Sequence, residues 1–214
     1  PNNSLTIQYK QQHFKIKKSM KIIELLLDEE NEEMTGIEAV SIVESPAIES
    51  DFIALADQEI KLAKIDEDKR LLMGAALIPS KPIFRRDGEE TYYVYFSKDT
   101  VRRASELFFM KGNQNNATLE HNINVKNLSV VESWIVEGEQ DKSRMYGLEV
   151  PKGTWMISMK IENDEIWNDY VKTGKVKGFS IEGYFADKAK IKQSEQLKED
   201  EANIKLKEIL SLLK

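Results

Sequence analysis

A serine in a glycine-bounded strand and one well-placed histidine are the residues of this chain most suited to chemistry. The serine is Ser180, in Gly178-Phe179-Ser180-Ile181-Glu182-Gly183. The histidine is His121, in Leu119-Glu120-His121-Asn122. The chain has 2 histidines, and the other, His13, lies in a polar N-terminal stretch. A serine hydroxyl is a weak nucleophile until a neighbouring base takes its proton, and imidazole does this best near neutral pH. If the chain runs serine–histidine chemistry, Ser180 and His121 are its pair. The same six residues around Ser180 also read as a plain strand with one polar face and two turn glycines. They do not form the G-x-S-x-G elbow, because the second glycine comes one residue late and no helix pattern follows, which argues against an α/β-hydrolase.

A third member would orient the histidine and stabilise its charged form. Alternation in Val130-Val131-Glu132-Ser133-Trp134-Ile135-Val136 puts Glu132 on one face with Val130, Trp134 and Val136. A carboxylate among large apolar side chains is costly unless paired, so Glu132 is the candidate taken from strand facing. Glu182 shares the face of Ser180 and is a rival, as is Glu120. A dyad without an acid stays open. One histidine with scattered carboxylates gives no zinc spacing, and isolated glycines give no phosphate loop, so no metal or cofactor is expected.

These residues need a scaffold. The chain has 214 residues, of which 41% are hydrophobic and 32% charged, enough apolar material for one good-sized core. The charge gathers in the first seventy residues and the last thirty, which leaves an ordinary globular middle. A net charge of −6 argues against nucleic acid as the main partner. With 0 cysteines there is no disulfide, no thiolate metal site and no cysteine nucleophile. No apolar run approaches the ~20 residues of a membrane span, and neither a signal peptide nor membrane attachment is expected.

Residues 1–35 read as an N-terminal extension, in which Met20 to Leu27 suits a strand or a short helix equally. Gly36 to Val43 is β-branched and reads as a strand ended by Ser45-Pro46. Residues 50–70 read as a loop or short helix. Residues 71–96 read as a hairpin of Leu71–Ile78 with Tyr92–Phe96 around an Arg86-Asp-Gly-Glu turn. Ser97 caps a helix carrying Val101, Ala104, Leu107 and Phe108, with Gly112 as its stop. Strands follow at Leu128–Val136, Trp155–Ile161 and Phe179–Phe185, with a short helix over Asn163–Val171. From residue 187 a charged helical tail carries a ragged stripe of Leu197, Ile204, Ile209, Leu212 and Leu213. The fold class is therefore α+β, with a mostly antiparallel sheet or barrel over residues 36–186.

Taken in order, several stretches resemble one family. They are Gly36-Ile-Glu-Ala-Val-Ser-Ile-Val-Glu-Ser-Pro-Ala-Ile-Glu, Ala75-Ala-Leu-Ile-Pro79 with Ile83, and Tyr95-Phe96 before a helix. Then come Glu120-His121, Val131-Glu-Ser-Trp-Ile-Val136, Pro151-Lys-Gly-Thr-Trp-Met, Trp167, and Gly178-Phe-Ser-Ile-Glu-Gly-Tyr-Phe185. This set resembles the XkdF-type serine proteases of tailed phages and prophages, relatives of the prohead maturation proteases.

The resemblance implies the fold of the herpesvirus assemblin protease: an antiparallel β-barrel surrounded by helices, with serine and histidine on neighbouring strands. It implies a serine endopeptidase that matures the capsid, cleaving scaffold, capsid-protein segments and often itself. Its setting would be the host cytoplasm and the interior of the immature head, with capsid and scaffold proteins as partners and homo-oligomers as in the herpesvirus branch. Ser180 would be the nucleophile and His121 the base. No second histidine follows Ser180, so the third member would be an acid or absent. The oxyanion hole is sought near loop 137–147. The tail is either a scaffold-binding, trimmed segment or a solvated extension. The rival to the enzyme is an inactive, protease-like structural or binding protein of the particle.

Overall fold

A computed structural model describes residues 21–28, 33–44, 63–66 and 69–189, with 191, 196 and 202–205 beyond them. His13 and most of the tail's apolar positions lie outside the described residues. Among the described residues, twelve strands fall into three sheets of four. They are β1 (Lys21–Leu26), β2 (Gly36–Val43), β3 (Ala63–Asp66), β4 (Leu71–Leu77), β5 (Ile83–Asp87) and β6 (Glu90–Phe96), then β7 (Ala117–Leu119), β8 (Ile123–Val125), β9 (Leu128–Ile135), β10 (Trp155–Ile161), β11 (Gly178–Tyr184) and β12 (Ala186–Asp187). The helices are α1 (Lys98–Met110), α2 (Lys142–Met145) and α3 (Asp164–Ile166), the last running on into a wider turn over Trp167–Val171.

The sheet orders are β12-β1-β6-β5, β3-β4-β10-β9 and β11-β2-β7-β8. Seven of the nine pairings are antiparallel; β1–β6 and β2–β7 are parallel. The α+β class therefore holds with a mostly antiparallel pattern, and the expectation of a barrel is corrected. Among the described residues the strands form three open sheets and no closed barrel.

The sequence of β4 is almost continuously apolar because both of its faces are covered. Leu72 and Ala76 join the large core that also takes Ile37, Val40 and Ile42 from β2, Phe108 from α1, and Trp155 and Ile157 from β10. Met73 and Ala75 face a second, smaller cluster with Met156, Val136, Leu148 and Val150. Helix α1 buries Val101, Ala104 and Phe108, and the Phe108 ring meets Trp155 edge-on at 5.4 Å. The hydroxyl of Ser97 accepts from Thr100 N–H at 3.2 Å, which gives the helix its N-cap.

Two elements differ from the sequence reading, and a third that it left open between strand and helix is decided. The hairpin around Asp87-Gly88 joins β5 to β6, while β4 pairs with β3 and β10. Two prolines at 79 and 82 cannot continue a ladder, and Ser80 turns with φ 58 between them, so the chain leaves one sheet and enters another there. Residues 63–66 form a strand where a loop or helix was read; Ala63-Lys-Ile-Asp alternates with period two. Lys21–Leu26 is a strand inside a sheet, parallel to β6, with Ile23 and Leu25 against the core and Ile22 exposed.

The contact between β11 and β2 restricts one glycine sharply. The register slips between Glu182 and Gly183. A Cβ at Gly183 would overlap the carbonyl oxygen of Gly36 and lie 2.8 Å from Ile37 Cα. Those are backbone atoms of the partner strand and cannot swing aside. Gly183→Ala is expected to lower the unfolding free energy by about 3 kcal/mol, the upper range for overpacking. Urea denaturation would check it; an unchanged midpoint would show that the bulge yields cheaply.

An ion pair closes the outer side of the first sheet. Lys188 Nζ lies 2.5 Å from Glu24 Oε2, and Tyr95 Oη donates to the same oxygen at 3.3 Å. The Lys188 hydrogen bond holds the Glu24 carboxyl below its ordinary value of 4.5, against the opposing effect of burial. The same bond raises Lys188 above 10.5. A lowered acid stabilises the fold above its unfolded value and loses that contribution as pH falls through the folded one. A raised lysine contributes below its unfolded value and loses it as pH rises. The β1–β12 junction is thus expected to hold from about pH 4.5 to 10.5 and to loosen outside that window. Amide exchange at Ala186 and Asp187 across pH would check it, with Lys188→Met abolishing the dependence.

Candidate active site

The third sheet positions the site. Its cross-strand register sets Ser180 of β11 opposite Ser41 of β2, and Ser41 beside Thr118 of β7. Directly paired residues share a face of the sheet. Glu182, two residues along β11 with regular pairing between, shares that face too. A row of small polar side chains therefore crosses a sheet whose opposite face carries Phe179, Val40 and Ile42 into the core.

His121 sits on the turn between β7 and β8. Asn122 N–H donates to Leu119 C=O at 3.1 Å, and the two central residues, Glu120 and His121, have φ of 51° and 57°. Left-handed backbone costs a non-glycine residue about 1 kcal/mol or more, so two in succession need support. Strand β2 supplies it. Glu120 N–H donates to Ile42 C=O at 3.1 Å, and His121 N–H donates to Ser41 Oγ at 3.0 Å. The Glu120 carboxylate accepts from Glu44 N–H at 2.5 Å.

This strained turn brings the imidazole to the Glu182 carboxylate. His121 Nδ1 lies 3.1 Å from Glu182 Oε1. A carboxylate only accepts, so Nδ1 carries a proton, and in the neutral ring Nε2 is the basic atom. Thr118 Oγ1 donates to the same Glu182 oxygen. The side chains of His121 and Glu182 are 40% and 31% exposed, so the pair opens to solvent, whereas Ser180 is 7% exposed. The ring's bond among the described residues goes to Glu182, not to Ser180.

Glu132 is elsewhere. It lies on β9, opposite Ser158 of β10, in the sheet that does not contain Ser180 or His121. Its carboxylate accepts from Ser158 Oγ at 2.5 Å and pairs with Lys142 Nζ at 2.9 Å. The Ser158 bond first, and then Lys142, hold its carboxyl below the usual range. Glu132 keeps the face of Trp134, but the register skips Val131: Glu132 pairs with Ser158 and Val130 with Met159. One extra residue turns Glu132 off the face of Val130. Loop 137–147 packs here as well. Asp141 accepts from the Trp134 indole at 3.1 Å, and Lys142 Nζ stands 4.3 Å over that ring.

A model of the family described as "Putative phage serine protease XkdF" matches residues 59–190. The chain belongs to this family. The XkdF segment contains Ser180, His121, Glu182, Thr118 and Glu132, while β1 and β2, with Ser41, precede it. No curated protein matches the chain, and no solved structure does. Membership in a family of phage serine proteases makes a peptidase the coarse reading of the site. No helix among the described residues is long and apolar enough to cross a membrane. Thr118 and Ser41 were not singled out from the sequence. A lone hydroxyl in an otherwise apolar run, as in Val40-Ser41-Ile42-Val43, was the signal available for Ser41.

Proposed function

We propose that this chain is the maturation endopeptidase of a phage prohead, acting through Ser180, His121 and Glu182. The observation that carries the reading is His121 Nδ1 on Glu182, two residues along the same strand face from Ser180. Glu182 takes the acid's place in this proposal; Glu132 is committed to Ser158 and Lys142.

In the proposed reaction His121 Nε2 takes the Ser180 hydroxyl proton as Oγ bonds to the scissile carbonyl carbon. The carbonyl oxygen becomes an oxyanion, to be held by donors such as backbone N–H groups. The C–N bond then breaks as imidazolium protonates the leaving amine. Water, deprotonated by the same Nε2, then attacks the acyl carbon; the acyl C–Oγ bond breaks, the imidazolium returns the proton to Ser180 Oγ, and the carboxylate product leaves. Glu182 keeps the imidazole in the Nδ1–H tautomer and stabilises its charged form throughout. No cofactor enters this scheme.

The remaining parts of the proposal follow the family. The substrates are scaffold and capsid-protein segments and the chain itself, and the setting is the immature head in the host cytoplasm. The expected placement of serine and histidine on neighbouring strands is corrected: β2 lies between β11, which carries Ser180, and β7, whose turn into β8 carries His121. The test is the intact mass of wild type and Ser180→Ala, each incubated with its capsid and scaffold partners. Products made by the wild type and missing with the variant are expected. Identical products in both would remove Ser180 from the reaction. No products in either would put the inactive structural reading ahead.

A further inference from the structure

We propose that Thr118 and Ser41 are positioning residues of this site, Thr118 holding the Glu182 carboxylate and Ser41 holding the turn that carries His121. The inference rests on the triad proposed above and adds two groups that touch no substrate.

The Thr118 hydroxyl and His121 Nδ1 converge on one oxygen, Glu182 Oε1. Glu182 is one-third exposed and near the end of a strand, with a register slip just after it. A glutamate so placed can rotate into water, where its carboxylate is well solvated. Thr118 is 5% exposed and its β-branched side chain has few rotamers, so its hydroxyl is a fixed donor. It therefore selects the one carboxylate rotamer that meets the imidazole.

Ser41 acts on the backbone. Its side chain is fully buried, and its Oγ accepts the His121 N–H while lying 3.4 Å from Thr118 C=O. That hydroxyl joins β2, β7 and the left-handed turn at one point. Without it the His121 N–H loses its acceptor, and the turn's strain is opposed by fewer bonds. Both hydroxyls are thus support for geometry already strained, the usual requirement for a preorganised site.

The chain's two histidines make the test direct. In a His13→Gln background, a single 15N-labelled ring remains, and its nitrogen shifts report the tautomer in mildly alkaline buffer, where imidazoles are neutral. The Nδ1–H form is expected in the parent. Thr118→Val keeps the side-chain shape and removes the donor. It is expected to shift the ring toward the Nε2–H form and to slow labelling of Ser180 by a fluorophosphonate on the order of tenfold, well short of the ~10⁴ lost with a triad acid. Thr118→Ser is expected to restore both. For Ser41→Ala, amide exchange at His121 is expected to rise by about tenfold or more with the loss of its acceptor.

Ring shifts in Thr118→Val identical to the parent would overturn the role of Thr118. Unchanged exchange at His121 in Ser41→Ala would overturn that of Ser41. Ring shifts that move as expected, in a chain that labels no faster than Ser180→Ala, would uphold the positioning roles and sink the proteolytic reading instead.

Discussion

Ser180→Ala and His121→Ala are each expected to lower the rate of peptide cleavage by about 10⁶-fold, and the double variant by no more than either alone. A nucleophile and its base act as one unit. Without Ser180 the imidazole has no hydroxyl to deprotonate; without His121 the hydroxyl stays protonated and nearly inert. Substrate binding and oxyanion donors survive in all three variants, so a common residual rate is left. Cleavage of the capsid and scaffold partners, followed by mass at long incubation times, would measure it. Additive losses in the double variant would mean that the two residues work independently, and the proposed pair would fall.

Glu182→Gln is expected to cost about 10⁴-fold, while Glu132→Gln leaves cleavage within a few-fold of the parent. The amide of glutamine can present an N–H to the ring, which then keeps its proton on Nε2 and cannot act as a base toward Ser180. Glu132 has no such access. Its partners are Ser158 and Lys142, in the sheet formed by β3, β4, β10 and β9. Glutamine still offers an acceptor to the buried Ser158 hydroxyl and the Lys142 pair is solvent-exposed, so its effect is expected in stability, at about 1 kcal/mol or less. Thermal unfolding and cleavage of the two variants side by side separate the roles. A large loss of cleavage with Glu132→Gln and none with Glu182→Gln would restore the acid read from strand alternation.

Much of the local structure was legible without coordinates. Helix α1 follows from Ser97, an apolar spacing of three and four, and Gly112, all of which act within a few residues of one another. Strands β9, β10 and β11 follow from β-branched and aromatic runs. Ser180 and Glu182 on one face follow from period two, which no bulge interrupts between them. The hairpin partner of β6 was not legible, because a strand's neighbour depends on where the chain goes after Pro79 and Pro82. The position of Glu132 was not legible either, because which sheet β9 joins is set by its pairing with β10, a strand some 25 residues away in sequence.

The sequence by itself determined the chemistry available to this protein: one serine in a glycine-bounded strand, one histidine outside the N-terminal stretch, no cysteine, and the family signature spread over the chain. Those are properties of residue type and order. Only the tertiary structure decided which carboxylate meets the histidine. Glu182, Thr118, Ser41 and His121 come from three strands and a turn separated by up to 141 positions. Their meeting depends on the β11–β2–β7 register and on two left-handed residues held against strand β2. Cross-strand register is a property of packing between distant segments, and a shift of β11 by one residue would turn Ser180 and Glu182 to the other face.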